Sequence, residues 1–350
     1  MAPRETMHLD RRHWQAISLD IERTRKPFCI LLVRERQTTF LQGGTPLSFS
    51  LSKPAPTSPQ PADQLEFTIN KRPRNPGSLT ALASPLLESR QNGIDQTTYD
   101  NLLRHTKYSS AVYQWICPRP LGNTLVDKFD KSGTQGFVIR DDSRKEIIVS
   151  FRGTFELKDA FVDLQIIMRP LVSTGLTSVG DSYVHTGFLY AYNVVASDVL
   201  RIIKDQAAKY PSYTIISTGH SLGGAVASLA AISIKSALPN ANLRLYTFGQ
   251  PRVGNAAFAS YVESKIGTAN IFRAVHTYDG VPTILFKALG YRHFGTEYWH
   301  FNDPARPANV KKCTGGDDPT CSDSIPSTFI NPAHITYFGQ LIALNPLLCI

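Results

Sequence analysis

The sequence predicts an α/β fold, a mainly parallel central sheet with helices on both faces, and three observations predict it. From about residue 137 onward, short apolar runs of strand length alternate with longer segments of helical period, as when strands are joined by covering helices. The pentapeptide Gly219-His220-Ser221-Leu222-Gly223 falls where one such run gives way to a helix. The chain's 350 residues, 42% hydrophobic and 19% charged, suit one α/β domain with an appendage and contain no run long enough to cross a bilayer.

The first predicted element is a helix over 94–113, where Leu102, Leu103, Thr106, Ser110 and Tyr113 recur at roughly helical spacing. Residues 137–140 and 146–151 read as a hairpin, because apolar runs flank the turn-forming Asp141-Asp142-Ser143. Phe188, Tyr192, Val195, Val199 and Ile202 step by four, three, four and three residues and predict one amphipathic helix running to Tyr210-Pro211. Further strands are expected at 213–217, 243–248 and 271–275, with helices at 222–237 and 256–265 between them.

The first 90 residues show no sustained period. Prolines crowd 53–61 and 70–77, denying helix and sheet bonding, so an atypical and poorly ordered N-terminal extension over 1–90 is expected ahead of a catalytic domain over 91–350. No secretory signal is recognisable there, since Arg34, Glu35 and Arg36 cut short the apolar stretch. The net charge of +9 divides into +5 before residue 91 and +4 after it, with no basic stripe interleaved with aromatics. A nucleic-acid partner is thereby disfavoured.

Gly219, Ser221 and Gly223 satisfy G-x-S-x-G, in which a sharp strand-to-helix turn lifts a serine hydroxyl above the sheet of an α/β-hydrolase. The pattern arises by chance in about one chain in ten of this length at ordinary glycine and serine frequencies. Context therefore carries the weight: 213–217 is strand-like, and Ala225, Ala227, Ser228 and Ala230 let the following helix pack closely. A serine needs a histidine to take its proton and a carboxylate to orient that histidine. In the expected order Ser, Asp, His, Asp279 follows a strand candidate in Tyr278-Asp-Gly-Val-Pro282. Leu222, the residue after the nucleophile, supplies one backbone donor to an oxyanion hole, and His220, beside the nucleophile, packs on the elbow or supports the catalytic groups from behind. C-x-x-C, H-E-x-x-H and G-x-G-x-x-G motifs are absent, so neither metal nor cofactor is expected.

Five segments carry a resemblance: 140–154, His185-Thr-Gly-Phe188, 218–225, 245–254 and Glu297-Tyr-Trp299. Together they resemble the fungal class 3 lipase family, which includes triacylglycerol lipases and type A feruloyl esterases. The resemblance spans about 94–349. It implies that His334, last of the nine histidines, is the base, and that Thr154 is the second oxyanion donor. It also implies the pairs Cys117–Cys349 and Cys313–Cys321, a secreted monomer and an ester substrate met at a lipid–water interface. His185, His293 and His300 match no catalytic position.

Residues 155–164 occupy the family's lid position. Phe155, Leu157, Phe161 and Leu164 are its apolar residues, with Glu156, Asp159 and Asp163 opposite. Exposing Leu157, Phe161 and Leu164 costs on the order of 5 to 9 kcal/mol, which a lipid surface offsets. An apolar lid favours a triacylglycerol-type ester. The segment 140–154 looks closer to the feruloyl esterases, which keeps a soluble-ester alternative open. A non-catalytic lipase-fold binding protein is a third reading, against which retention of the full Ser-Asp-His set argues.

Overall fold

A computed structural model describes residues 93–154, 166–326, 328–343 and 345–350, together with four short strands in the first 48 residues. The chain divides into two compact units, 1–79 and 80–350. In the first, Ala16–Ile17, Leu31–Arg34, Gln37–Gln42 and Thr45–Ser48 pair antiparallel in chain order. The sequence reading assigned no strands there. The expected poor order of the remaining arm, and the lid residues Phe155, Leu157, Phe161 and Leu164, lie outside the described residues.

The second unit is built on eight strands: β1 Thr124–Lys131, β2 Thr134–Asp141, β3 Glu146–Phe151, β4 Thr214–His220, β5 Leu243–Phe248, β6 Ile271–His276, β7 Glu297–His300 and β8 Val310–Lys312. Their order across the sheet is their order in the chain. Strands β3 to β7 are mutually parallel, while β1, β2 and β8 add antiparallel edges.

Helices cover both faces, as predicted, because successive strand residues point to opposite sides. Ile147, Val149 and Phe151 of β3 pack with α2 Thr186–Asn193, α3 Ala196–Lys209, α4 Leu222–Ala237 and α5 Ala256–Ile266. Ile148 faces the other way, joining Leu102 and Tyr108 of α1 Gln96–Ala111 with Tyr337 and Leu348. The small residues of α4 bring its backbone within reach of the sheet, and Ser217 Oγ of β4 donates to the Ala227 carbonyl at 2.8 Å. Side-chain caps fix helix starts: Asp95 accepts from Thr98 N–H at 2.8 Å and Asn255 from Phe258 N–H at 2.9 Å.

One expected element is corrected. The single helix predicted between 188 and 210 is two, broken at Val194 and Val195. Asn193 and two β-branched valines are weak helix formers, and Asn193 is drawn off to the Val172 carbonyl at 2.9 Å. The apolar spacing continues through the break because both helices bury the same face. A second small sheet, of Met168–Pro170, Tyr183–His185, Gly254–Asn255 and Tyr291–Arg292, has strands too short to leave a readable period.

Both implied disulfides are formed, Cys117–Cys349 and Cys313–Cys321. The first joins the segment after α1 to the last helical turn across 232 residues. No described helix is long and apolar enough to cross a membrane.

Candidate active site

The parallel strands converge their carboxyl ends on one side of the sheet, where open α/β sheets gather ligands. Ser221 follows β4 directly, at φ 59° and ψ −130°, a left-handed backbone that a non-glycine residue adopts only under local constraint. The flanking glycines explain how the turn fits. A Cβ on Gly219 would lie 2.3 Å from the Gly223 carbonyl oxygen, and one on Gly223 would lie 2.2 Å from that of Phe151. A side chain at Gly223 would drive the elbow off the end of β3, and one at Gly219 would drive the strand end away from the first turn of α4. The Ser221 N–H is held by the Phe248 carbonyl at 2.8 Å, and its own carbonyl accepts from Gly224 N–H at 2.9 Å.

Asp279 lies beyond β6, and His334 on a short turn, Pro332–Ile335, beyond β8. His334 Nδ1 and Asp279 Oδ2 are 2.9 Å apart, with both side chains fully buried. A carboxylate only accepts, so Nδ1 carries the proton and Nε2 presents its lone pair. Two further donors reach Asp279: Tyr337 Oη–H to Oδ2 at 2.5 Å and Val281 N–H to Oδ1 at 2.9 Å. Burial alone would raise this carboxyl, but the electrostatic attraction and hydrogen bond of the His334 ring, with the hydrogen bonds from Tyr337 and Val281, outweigh burial and hold it below its ordinary value. The carboxylate is therefore ionised throughout the neutral range.

Two buried polar atoms are left over. Ser221 Oγ and His334 Nε2 have no hydrogen-bond partner among the described residues. They belong to adjacent groups, since the His220 ring lies 4.5 Å from that of His334. A buried hydroxyl without a partner is costly in a purely structural role, whereas a nucleophile and its base must keep these atoms available for substrate.

His220 is buried on the elbow and both of its ring nitrogens are engaged. Its Nε2–H donates to the His334 carbonyl at 2.7 Å, so its Nδ1 accepts from Tyr113 Oη–H at 2.9 Å. The residue before the serine thus holds the backbone of the histidine. Burial, and then the neighbouring His334, pushes the His220 pKa down to about 3. Burial, aided by nearby arginines, keeps His105 and His293 well below the ordinary imidazole value. These rings stay neutral in the fold and protonate near pH 6.5 when unfolded, so the unfolded chain binds more protons at acid pH. Their contribution is complete above about pH 6.5 and is lost progressively as pH falls from there towards the His220 value of about 3. Calorimetric melting across that window is expected to show a falling midpoint, and a flat profile would contradict it.

The two oxyanion candidates share a cavity. Leu222 opens α4, where the first backbone N–H groups have no partner within the helix. Thr154 follows Gly153, at which a Cβ would meet Tyr113 Oη at 2.2 Å, the His220 carbonyl at 2.7 Å and Ser221 Cβ at 3.2 Å. A cavity of about 250 Å³ is lined by Arg152, Gly153, Thr154, Tyr190 and Leu222 among others. His185 caps α2, accepting from Gly187 N–H at 3.1 Å and Phe188 N–H at 3.4 Å, and His293 Nε2–H donates to the Pro282 carbonyl at 2.9 Å.

Sequence reasoning missed Tyr337 and Gly249. Tyr337 is three residues past His334, within reach of the same carboxylate. Removing its hydroxyl in Tyr337→Phe is expected to lower kcat about tenfold with KM little changed, as a bond to a charged group is worth about 1.5–3 kcal/mol and part of it is recovered. Steady-state rates on a soluble ester check this, and an unchanged kcat would remove Tyr337 from the positioning set.

A serine at a strained strand-to-helix elbow, beside a histidine fixed by a buried carboxylate on an α/β sheet, defines a serine hydrolase of the α/β-hydrolase fold. The class 3 lipase family model matches residues 148–288. The chain is 31% identical over 265 residues to a secreted alkaline triacylglycerol lipase of Penicillium cyclopium, covering 75% of this chain and 91% of that one. A lipase of Rhizomucor miehei is 39% identical over 212 residues, where the match takes in 59% of this chain and 55% of the relative. The crystal structure of a triacylglycerol lipase from Penicillium expansum superposes with a TM-score of 0.67 at 29% identity, over 72% of this chain and 97% of that one. The chain belongs to the class 3 lipase family and is a serine carboxylic ester hydrolase.

Proposed function

We propose that the protein hydrolyses triacylglycerol-type esters through an acyl-enzyme on Ser221. His334 takes the Ser221 proton and returns it to the departing alcohol, then activates the water that releases the acid. Asp279 fixes the histidine tautomer and stabilises the imidazolium, and Leu222 N–H and Thr154 stabilise the tetrahedral oxyanion. The observation that carries this reading is the pair of unpartnered buried atoms, Ser221 Oγ and His334 Nε2, beside an ionised Asp279. The name of the Penicillium cyclopium relative supports the substrate class and secretion, and two disulfides fit an oxidising compartment.

The catalytic domain is 91–350 and acts as a monomer, with the first 90 residues taking no part in the chemistry. Action at a lipid–water interface is supported by the amphipathic sequence of 155–164 and by exposed apolar residues near the carboxyl ends of the strands: Tyr278, Phe329 and Ile335. Turnover of a short soluble ester, an emulsified triacylglycerol and methyl ferulate tests the proposal. A rate that jumps once the ester exceeds its solubility limit is the expected result. Hyperbolic kinetics with preference for ferulate would overturn the triacylglycerol assignment.

A further inference from the structure

Beyond the ester-hydrolysing cluster lies a second group of titratable side chains that the reaction does not use. His276 ends β6 and His300 ends β7, opposite one another in the parallel register. Asp303 follows three residues after His300. Both histidines are buried, whereas the Asp303 side chain is 65% exposed. Asp303 Oδ1 stands 3.4 Å from His276 Nε2 and 3.7 Å from His300 Nε2, and one ligand atom from each residue lies within 4.8 Å of the others.

The tautomer of His276 is fixed from behind. Its Nδ1 is 3.0 Å from the Ala333 carbonyl, which only accepts, so Nδ1 carries a proton and the Nε2 lone pair of the neutral ring faces a carboxylate oxygen. Two acceptors so placed repel unless a proton or a cation lies between them. His300 is fully buried, its ring centre 4.8 Å from that of His276 and 5.5 Å from that of Phe338. Neither of its ring nitrogens makes a well-formed hydrogen bond among the described residues, although the backbone of Asn302 and Pro304 stands near. Separations of 3.4 and 3.7 Å are long for N–H···O bonds. They approach the edge of a ligand tetrahedron around zinc, roughly 3.3–3.4 Å for bonds of about 2.0–2.1 Å.

We propose that His276, His300 and Asp303 bind one divalent transition-metal ion of the zinc class, with water completing the coordination. Two imidazoles and one carboxylate suit such an ion better than calcium or magnesium, which take oxygen ligands. A bound histidine whose other nitrogen donates to a backbone carbonyl is the usual outer-partner arrangement. Exposed Asp303 supplies the way in. The ion's role is structural: the Ala333 carbonyl that holds His276 belongs to the residue before His334, so occupancy braces the turn that presents His334. The other cluster with suitable residue types among the described residues, Glu297 with Cys313 and Cys321, offers no thiolate because its cysteines are paired.

The full chain, without a polyhistidine tag and freed of metal by a chelator, is titrated with Zn²⁺ by calorimetry and with Co²⁺ by visible absorption. One equivalent of Zn²⁺ is expected, with a tetrahedral Co²⁺ band and a thermal midpoint raised by Zn²⁺. Asp303→Asn and His300→Gln are each expected to weaken binding at least about tenfold, the scale on which even outer partners of a metal ligand act. The Zn²⁺-dependent rise in midpoint should vanish with it. Asp303 is at the surface, so its variant tests the site even if the buried His300→Gln misfolds. Absence of saturable one-to-one binding, or an Asp303→Asn protein that binds as tightly as the parent, overturns the proposal. A simple ion pair between protonated His276 and Asp303 would give that result.

Discussion

Ser221→Ala is expected to lower kcat by about a million-fold, the scale seen when the nucleophile of such a set is removed. No neighbouring side chain can substitute, since the left-handed elbow presents a single hydroxyl and Gly219 and Gly223 flank it. Folding should be unaffected, because Ser221 Oγ has no described hydrogen bond to lose and alanine fills less space. A fluorophosphonate probe measures this directly: the parent should be labelled stoichiometrically and the variant not at all. Labelling that persists in a folded Ser221→Ala protein would place the nucleophile elsewhere.

Gly249→Ala is expected to be nearly as severe, although Gly249 touches no substrate. It follows β5 at φ +58°, and a Cβ there would sit 2.8 Å from Asp279 Oδ2 and 2.8 Å from His334 Nδ1. Those atoms form the Asp279–His334 hydrogen bond, and both side chains are fully buried. The methyl group therefore forces the pair apart, and loss of that orientation costs about 10⁴-fold in kcat where the carboxylate itself is neutralised. Asp279→Asn should fall in the same range. If kinetics on a soluble ester show Gly249→Ala within about threefold of the parent while Asp279→Asn is inactive, the close approach at Gly249 does not govern the pair.

Much of the site was legible because its constraints are local in sequence. The elbow needs glycines two positions either side of the serine, and a strand before with a small-residue helix after; all are adjacent in the chain. Asp279 was legible as a carboxylate just past a strand, and His334 through likeness to a family. What stayed hidden depends on contacts between distant segments. Gly249 matters because Asp279 and His334 close over it, 30 and 85 residues further along. Tyr113 acts on His220 across 107 residues. Strands β7 and β8 escaped notice because Glu297, His300 and Lys312 interrupt any apolar period. Glu297 is nonetheless buried, held by Arg273 at 2.6 Å. The grouping of His276, His300 and Asp303 eluded motif reading for the same reason: parallel register, not chain spacing, brings two strand ends side by side.

The central sheet, whose strands lie side by side in the order in which they occur in the chain, also bears on how the molecule is made. Each new strand meets an edge that its predecessor has just completed, and none has to insert between two already paired. During synthesis the sheet can grow from one side, strand by strand, as segments become available. Ser221 and Asp279 arrive with that growth, while His334 must settle against a template already assembled. The Asp279–His334 hydrogen bond is then among the last contacts the chain can make, since His334 lies beyond all eight strands.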